Sequence, residues 1–368
     1  MKRRVDQVQS TDSVKAANQF AGSRIRGASG VGDGRMAARS KARSAPSRAQ
    51  VELSFAQRSL FCLMVAVLHV LSLLPDFVLS WLGMAGALLT YHLDRRHVAI
   101  GLKNLQIAFP QASPREHRRI LRQSYLNLGR GIAEFVRLGG FFYRSLTKRV
   151  GFEHMRHWEE ILHRSQGRGV IILSAHFGSF ELLAAVHAMR GYAINLVHHT
   201  QSLAVGDALL TFVRERAGIR IIRKHAAARA ALRALKHGEM VGVPFDQNAK
   251  RSEAVFVPFF SELAATSAGL ARLAKMANAP VVPAFIVRNR DNHSHRVVVG
   301  KPIPLVESDD VQRDLIENTR RFQAEIERIV RQYPEQFLWV HRRYRTRPPG
   351  APRIYQESGK RARVALRE

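Results

Sequence analysis

Residues 169–181 have the sequence Gly169-Val-Ile-Ile-Leu-Ser-Ala-His176-Phe-Gly-Ser-Phe-Glu181, in which a short apolar run is followed by a histidine. The run holds two isoleucines and a valine and begins at a glycine, so it predicts a buried strand. Residues 179–190 predict a helix, with Gly178 or Ser179 near its N-cap. His176 would then lie in the turn between the carboxyl end of a strand and a helix, where ligands and catalytic groups collect in open α/β sheets.

Glu181 follows His176 by five positions, and this spacing bears on how the two side chains can meet. On one continuous helix, five residues rotate by roughly 500° and leave two side chains about 140° apart. If His176 precedes the helix and Glu181 lies in its first turns, the turn can bring the carboxylate to the imidazole. Such a carboxylate holds one tautomer of the ring and stabilises the imidazolium that forms when the other nitrogen accepts a proton.

The spacing alone is weak evidence. With 16 histidines and 29 acidic residues in 368 positions, about one histidine is followed by an acidic residue five positions later by chance. His154 and Glu159 form a second match. They lie in an amphipathic segment that no apolar strand precedes, which indicates a solvated helix face. The strand before His176 therefore favours the pair of His176 and Glu181.

The composition is strongly basic: 58 Lys and Arg against 29 Asp and Glu give a net charge of +29. This balance indicates a nucleic acid, an anionic membrane surface or a negatively charged substrate as partner. No zinc-finger spacing, RNP-type aromatic stretch or recognition helix is visible, so we expect no nucleic acid. Cys62 is the only cysteine, which excludes a disulfide framework and a cysteine-based zinc site. With no H-E-x-x-H motif either, we expect no metal and no cofactor.

Two basic tails flank the part of the chain that can build a core. Residues 1–50 contain hardly any large apolar side chains and predict a disordered tail, although Met36 also allows a shorter translated chain. Residues 356–368 predict a second, short tail.

Residues 51–94 contain two apolar stretches that Pro75-Asp76 separates. The first, 59–74, is close to the lower limit of about 17 residues for a membrane span. We expect a membrane-anchoring helical segment here, either a single span or a hairpin bent at Pro75. The alternative is a pair of buried core helices.

Residues 95–355 predict one α/β domain. Beyond the strand before His176, the pattern predicts strands at 193–198, 219–222, 240–245, 281–287 and 296–299, and helices at 114–138, 206–217, 226–237, 268–277 and 311–332. Strands that alternate with helices at this interval predict a largely parallel central sheet flanked by helices.

Several motifs occur in a fixed order along the chain: Asn104-Leu-Gln-Ile-Ala-Phe-Pro110, Ser124-Tyr-Leu-Asn-Leu-Gly-Arg130, the 169–181 stretch, Arg214-Glu-Arg216, Pro244-Phe-Asp246-Gln247, Val255-Phe-Val-Pro-Phe-Phe260 and Tyr333-Pro-Glu-Gln-Phe-Leu-Trp-Val-His-Arg-Arg-Tyr-Arg-Thr-Arg-Pro348. With them the chain resembles the lipid A late acyltransferases, the lauroyl and myristoyl transferases within the lysophospholipid acyltransferase superfamily. The resemblance covers roughly residues 58–355 and implies a glycerolipid acyltransferase-like fold.

The resemblance implies transfer of a fatty acyl chain from acyl-carrier protein to a hydroxyl of a lipid A precursor, on the cytoplasmic side of the bacterial inner membrane. His176 and Glu181 match the family's catalytic pair. The family's arginine matches Arg214, with Arg216 as a substitute because the alignment needs a one-residue gap there. Its aspartate matches Asp246, and Gln247 follows as a further substrate-binding candidate.

The chemistry suits these residue types without the family name. An alcohol attacks a thioester only if a base accepts its proton, and a positioned histidine supplies about 10²- to 10⁴-fold. The developing oxyanion needs donors, which N–H groups of residues 177–180 at a helix N-terminus would supply. A nucleophilic role of Ser174 or Ser179 is not favoured, because no G-x-S-x-G motif is present.

Other interpretations stay open for the remaining candidates. Arg214 and Arg216 could bind phosphates or lie on a solvated helix face, and Asp246 could bind a basic residue or cap a loop. Residues 255–260 could line an acyl groove or form a core strand. His198 and His199, with no carboxylate at a useful spacing, are predicted as surface or structural residues.

Alternatives also stay open for the identity of the acceptor and for the class of the protein. Another glycolipid, such as a phosphatidylinositol mannoside, or a lysophospholipid could replace the lipid A precursor. A non-catalytic basic protein that binds membranes or nucleic acid is the alternative of a different class.

Overall fold

The computed structural model describes residues 53–153, 155–198, 200–223 and 227–355. The tails predicted at 1–50 and 356–368 lie outside these residues, as do His154 and His199. The described helices are α1 (Phe55–Leu71), α2 (Asp76–Leu93), α3 (Arg95–Ala108), α4 (Pro114–Gly139), α5 (Met155–Arg164), α6 (Phe180–Met189), α7 (Ala204–Arg216), α8 (Ala227–Lys236), α9 (Gly269–Ala277) and α10 (Val311–Gln332). The described strands are β1 (Val150–Phe152), β2 (Ile171–Ser174), β3 (Ile194–His198), β4 (Arg220–Arg223), β5 (Met240–Pro244), β6 (Ala254–Phe259), β7 (Glu262–Ser267), β8 (Val281–Arg288) and β9 (His295–Val299).

Seven of these strands form one sheet in the order β1-β9-β8-β2-β5-β3-β4. The five strands from β8 to β4 run parallel to one another. β9 is antiparallel to β8, and β1 pairs in parallel with β9. The predicted largely parallel sheet is therefore confirmed, with two reversed strands at one edge. Strand β1 was missed because its three residues are too few to show a pattern.

Helices cover both faces of the sheet, and alternate residues of β2 show how. Ile171 and Leu173 belong to a buried cluster that includes Phe322 of α10. Ile172 belongs to a second cluster with Trp158 of α5 and with residues of α6. Because β2 is buried on both faces, its sequence is continuously apolar and does not alternate.

Strands β6 and β7 form an antiparallel hairpin outside the main sheet. Val257 and Phe259 on β6 are fully buried. Residues 255–259 therefore lie in a strand with one buried face, and Phe260 follows its end; a core strand was one of the two interpretations that the sequence left open.

The N-terminal helices α1 and α2 meet at a turn before Pro75, as the sequence predicted. Within the described residues, no helix has both the length and the apolarity that a membrane crossing requires. The alternative of two buried core helices is wrong, because large apolar side chains of both helices are exposed: Phe55, Leu60, Leu63, Val67, Val70, Phe77, Trp81, Leu82, Leu89 and Leu93. We call these side chains the apolar face.

Helix α2 lies along α4, and the two backbones approach closely at a pair of glycines. A Cβ atom added to Gly83 would lie 2.2 Å from the carbonyl oxygen of Gly129. No side chain fits in that space, so the glycines permit the crossing. The crossing holds the N-terminal pair of helices against the α/β domain.

Candidate active site

The parallel register of β2 and β5 brings His176 and Asp246 together. Ser174, the last residue of β2, pairs with Pro244, the last residue of β5. His176 and Asp246 each follow two residues later, so both lie just beyond the carboxyl edge of the sheet. His176 Nδ1 lies 2.9 Å from Asp246 Oδ1, and the backbone N–H of His176 donates to the same oxygen at 3.1 Å.

This contact sets the tautomer of the His176 ring. An ionised carboxylate can only accept, so Nδ1 carries the proton and Nε2 is left with its lone pair. Gln247 Nε2 lies 3.4 Å from His176 Nε2, and the Phe180 ring packs edge-on against the imidazole at a centroid distance of 4.9 Å. A neutral imidazole with an available Nε2 can accept a proton.

Burial and charge act in opposite directions on this pair. Burial lowers the pKa of His176, but the charge and hydrogen bond of Asp246, with a contribution from Glu181, outweigh it, so the net pKa is raised above 6.5. Burial raises the pKa of Asp246, but His176 outweighs that effect and the net pKa is lowered. Asp246 therefore stays ionised and stabilises the imidazolium.

The carboxylate that contacts the ring is thus Asp246, whereas the sequence predicted Glu181. Glu181 is bound instead by Arg214, whose Nε and Nη2 donate to its two oxygens at 2.8 and 2.6 Å. The physical reason is competition: a two-point guanidinium–carboxylate pair is stronger and more directional than a single contact to an imidazole. Glu181 still lies in the same site, because its charge adds to the raised pKa of His176 after the larger effects of burial and Asp246.

Arg214 continues into a buried polar chain that the sequence did not reveal. Its Nη1 donates to His198 Nδ1 at 2.7 Å, and His198 Nε2 donates to Asp207 Oδ1 at 2.7 Å. Arg223 also donates to Asp207, at 3.2 Å. The prediction that His198 has no carboxylate partner is therefore wrong. Its position at the carboxyl end of β3, in the sheet next to β5, was the signal that could have found it.

Arg216 takes no part in this cluster. Its guanidinium donates to the carbonyl oxygen of Gly140 and lies over the Tyr143 ring. Of the two arginines that the sequence offered, Arg214 is the one that contacts Glu181.

A small cavity lies beside His176, with a volume of about 40 Å³. Its walls are mostly apolar, from β2, β3 and α6, with Glu181 and Arg214 as polar members. This volume is well below the range of roughly 300–1,000 Å³ that is common for small-molecule sites.

The backbone N–H groups after His176 divide into two pairs. Those of Phe177 and Gly178 are occupied, because they donate to the carbonyl oxygens of Ala175 and Gln336 at 2.8 Å each. In the described part of the chain, no acceptor is bound to the N–H groups of Ser179 and Phe180, and α6 has no side-chain cap. Of the four oxyanion donors predicted at 177–180, only the last two remain available.

A group of three or more His, Cys, Asp or Glu side chains that could hold a metal ion does not occur among the described residues.

Residues 47–346 match a model of the family described as bacterial lipid A biosynthesis acyltransferase. The chain belongs to this family. It is 29% identical to the lipid A biosynthesis lauroyltransferase of Escherichia coli (strain K12), over 79% of this chain and 93% of that protein. It is 30% identical to the palmitoleoyltransferase of the same strain, over 77% and 90%, and 27% identical to the myristoyltransferase, over 76% and 84%.

In this chain, the segment after α10 holds the residues around His176 in place. Leu338 N–H donates to the carbonyl oxygen of His176 at 3.1 Å. The buried Arg343 donates to the carbonyl oxygen of Gln247 at 3.3 Å. Sequence analysis missed this support, because contacts between segments roughly a hundred or more residues apart leave no local pattern.

Proposed function

We propose that this acyltransferase moves a fatty acyl chain from the thioester of acyl-carrier protein to a hydroxyl of a lipid A precursor, with His176 as the general base. The observation that carries the proposal is the ring of His176: Nδ1 is held by Asp246, while Nε2 has no strong partner among the described residues. The family membership supports acyl transfer as the reaction class.

The proton and the acyl group move in opposite directions during the reaction. His176 Nε2 accepts the proton of the acceptor hydroxyl as its oxygen attacks the thioester carbonyl carbon. The tetrahedral intermediate then collapses, the carbon–sulfur bond breaks, and the imidazolium returns the proton to the departing thiolate. The products are an ester and a free thiol, and no acyl-enzyme forms.

The negative charge on the tetrahedral oxygen needs fixed donors close to His176. The N–H groups of Ser179 and Phe180 suit this role, because they begin α6 and the helix dipole is positive at that end. Removing one oxyanion donor of this kind costs roughly 10²- to 10³-fold in rate.

The other site residues act through position and charge. Asp246 holds the His176 tautomer, and Gln247 lies where it can contact the acceptor hydroxyl beside Nε2. Arg214 fixes Glu181, which adds negative potential around His176. Arg214 and Asp246 are thus positioning residues, whereas Arg216 is not assigned a role.

A membrane-bound acceptor requires that the protein lie on a lipid surface. The apolar face of α1 and α2, on a chain with a net charge of +29, supports an interfacial position on an anionic leaflet. We place the protein at the cytoplasmic side of the bacterial inner membrane, because acyl-carrier protein is a soluble cytoplasmic donor.

Mass spectrometry of membrane lipids from cells with and without the gene tests this proposal. We expect lipid A from cells without the gene to lack one acyl chain, and the mass difference to give the length of that chain. Identical lipid A in the two strains would contradict the proposal. Loss of a chain from another glycolipid or from a phospholipid would overturn the proposed acceptor.

A further inference from the structure

A second pocket, with a volume of about 370 Å³, opens next to the residues that hold His176. We call it the basic pocket. It lies between the first turn of α3 and the segment that follows Trp339. Its lining residues are Arg96, His97, Asn248, Val340, His341, Arg342 and Arg345. Its volume falls in the range of roughly 300–1,000 Å³ that is common for small-molecule sites.

The described part of the chain neutralises the positive charge of the basic pocket only in part. Within the part of the chain that the structure describes, the side chains of Arg96, Arg342 and Arg345 form neither an ion pair nor a hydrogen bond. Nearby Arg347, by contrast, donates to Glu262 at 2.7 Å. Three guanidinium groups around one concave surface favour an anion with several oxygen atoms.

The first turn of α3 adds to this positive potential. Arg95, Arg96 and His97 begin the helix, and its first turn has no acidic residue. Cations are unfavourable at a helix N-terminus, where the dipole is already positive. Asp94, which caps the helix and binds His97, compensates for only part of this charge. A bound anion would offset the remainder.

The basic pocket shares residues with the loop that carries Asp246. Asn248 N–H donates to His341 Nε2 at 3.0 Å, and Asn248 follows Asp246 by two positions. Burial, with a smaller contribution from nearby arginines, lowers the pKa of His341 to about 4. His341 is therefore neutral and can accept this hydrogen bond. A ligand in the basic pocket would lie beside the reacting groups.

The phosphate-binding candidates that the sequence offered are engaged elsewhere. Arg214 is bound to Glu181 and His198, and Arg216 is bound to the carbonyl oxygen of Gly140. An acyl transfer between acyl-carrier protein and a lipid A precursor involves phosphate on both substrates: the phosphopantetheine ester of the donor and the phosphate groups of the acceptor.

We infer that the basic pocket binds a phosphate ester of one substrate and thereby positions it at His176. This inference rests on the proposed function for the identity of the substrate, and it assigns specificity to Arg96, Arg342 and Arg345. Arg342 and Arg345 approach from the C-terminal segment and Arg96 from α3, so an intact site needs both ends of the domain.

Kinetics of a double variant, Arg342→Gln with Arg345→Gln, tests the inference. The matched control is Arg164→Gln with Arg233→Gln, which removes the same charge. Arg164 ends α5 and Arg233 lies in the last turn of α8, so both precede strands and lie toward the opposite edge of the sheet. Because neither Arg342 nor Arg345 has a side-chain partner among the described residues, the pocket variant is expected to keep the melting temperature of the control.

We expect the pocket variant to raise the KM of one substrate by about tenfold or more, with kcat within about twofold of the control. A higher KM for the lipid acceptor, which disappears when the acceptor is dephosphorylated, assigns the site to the acceptor. A higher KM for acyl-carrier protein assigns it to the donor. Equal KM values for the pocket variant and the control on both substrates would overturn the inference.

A binding measurement separates this inference from the proposed function. Inorganic phosphate, compared with chloride at equal ionic strength, is expected to raise the melting temperature of the wild type and of the control variant. The pocket variant should lose that rise. A rise that persists unchanged in the pocket variant contradicts the inference, whereas loss of the rise in a protein that proves inactive on lipid A supports the anion site and overturns only the proposed reaction.

Discussion

At the scale of single residues, the raised pKa of His176 predicts how activity depends on pH. Burial pulls this pKa down, and Asp246 is the largest influence that pulls it up. A general base at His176, as proposed, acts only when neutral, so we expect kcat/KM to rise with pH through the raised pKa, above 6.5. Below that value the ring is protonated and cannot accept the hydroxyl proton.

Asp246→Asn removes the charge but keeps the shape of the side chain. The acid limb of the kcat/KM profile should move to lower pH. Burial lowers the pKa of His176, and the negative charge of Asp246 that raised this pKa is gone. The maximal rate should fall by roughly 10²- to 10⁴-fold, because the imidazolium loses its stabilising carboxylate. Glu181→Gln is the matched comparison and should move the limb less. A larger movement with Glu181→Gln would assign the orienting role to Glu181.

The sequence named most of this site, and it failed where two partners compete. His176 and Asp246 could be predicted because each follows an apolar strand, and parallel strands end at one edge. The partner of Glu181 could not be predicted, because it depends on whether Arg214 or His176 binds the carboxylate more strongly. His198 was missed for a related reason, since its partner Asp207 comes from the helix that follows its strand and not from a recognisable motif.

At the scale of elements, the crossing of α2 and α4 depends on Gly83. An added methyl group would collide with the backbone of Gly129, so Gly83→Ala should force the helices apart and lower the free energy of unfolding by about 1–3 kcal/mol. Gly86 lies one turn away on α2, and a Cβ there meets nothing within 4 Å. Gly86→Ala should raise the free energy of unfolding, by up to about 1 kcal/mol, because alanine favours a helix.

Urea denaturation of the two variants measures this difference. Equal free energies of unfolding for Gly83→Ala and Gly86→Ala would show that the close crossing does not stabilise the protein.

The elements themselves were predicted with uneven success. Strands β2, β3, β5 and β8 are largely apolar and buried, so their pattern was visible. The apolar runs before residue 94 were predicted from composition as spanning or buried. Both helices instead expose large apolar side chains, because composition does not show which side of a helix the rest of the protein covers. That depends on contacts such as those of Leu68 and Leu79, which are buried.

At the scale of the whole molecule, the apolar face and the positive net charge predict binding to anionic membranes. Trp81 and Leu63 are 63% and 59% exposed, so they contribute little to folding. Replacing both with Glu should weaken binding to vesicles that contain anionic lipid by about tenfold or more, because apolar burial is lost and negative charge is added. Co-sedimentation with such vesicles measures the change.

The control for this prediction is Val311→Glu together with Ile316→Glu. These side chains are also exposed, at 57% and 40%, but lie on α10. Equal loss of vesicle binding in the two double variants would show that the apolar face is not the surface that contacts the membrane.

The central claim is that His176 removes the proton from the acceptor hydroxyl. Its most direct test is kcat/KM of purified His176→Ala with acyl-carrier-protein thioester and lipid acceptor, beside His163→Ala, which removes an exposed histidine at the end of α5. We predict a loss of about 10²-fold or more for His176→Ala, an unchanged value for His163→Ala, and equal melting temperatures. A folded His176→Ala protein that retains the wild-type kcat/KM would contradict the account.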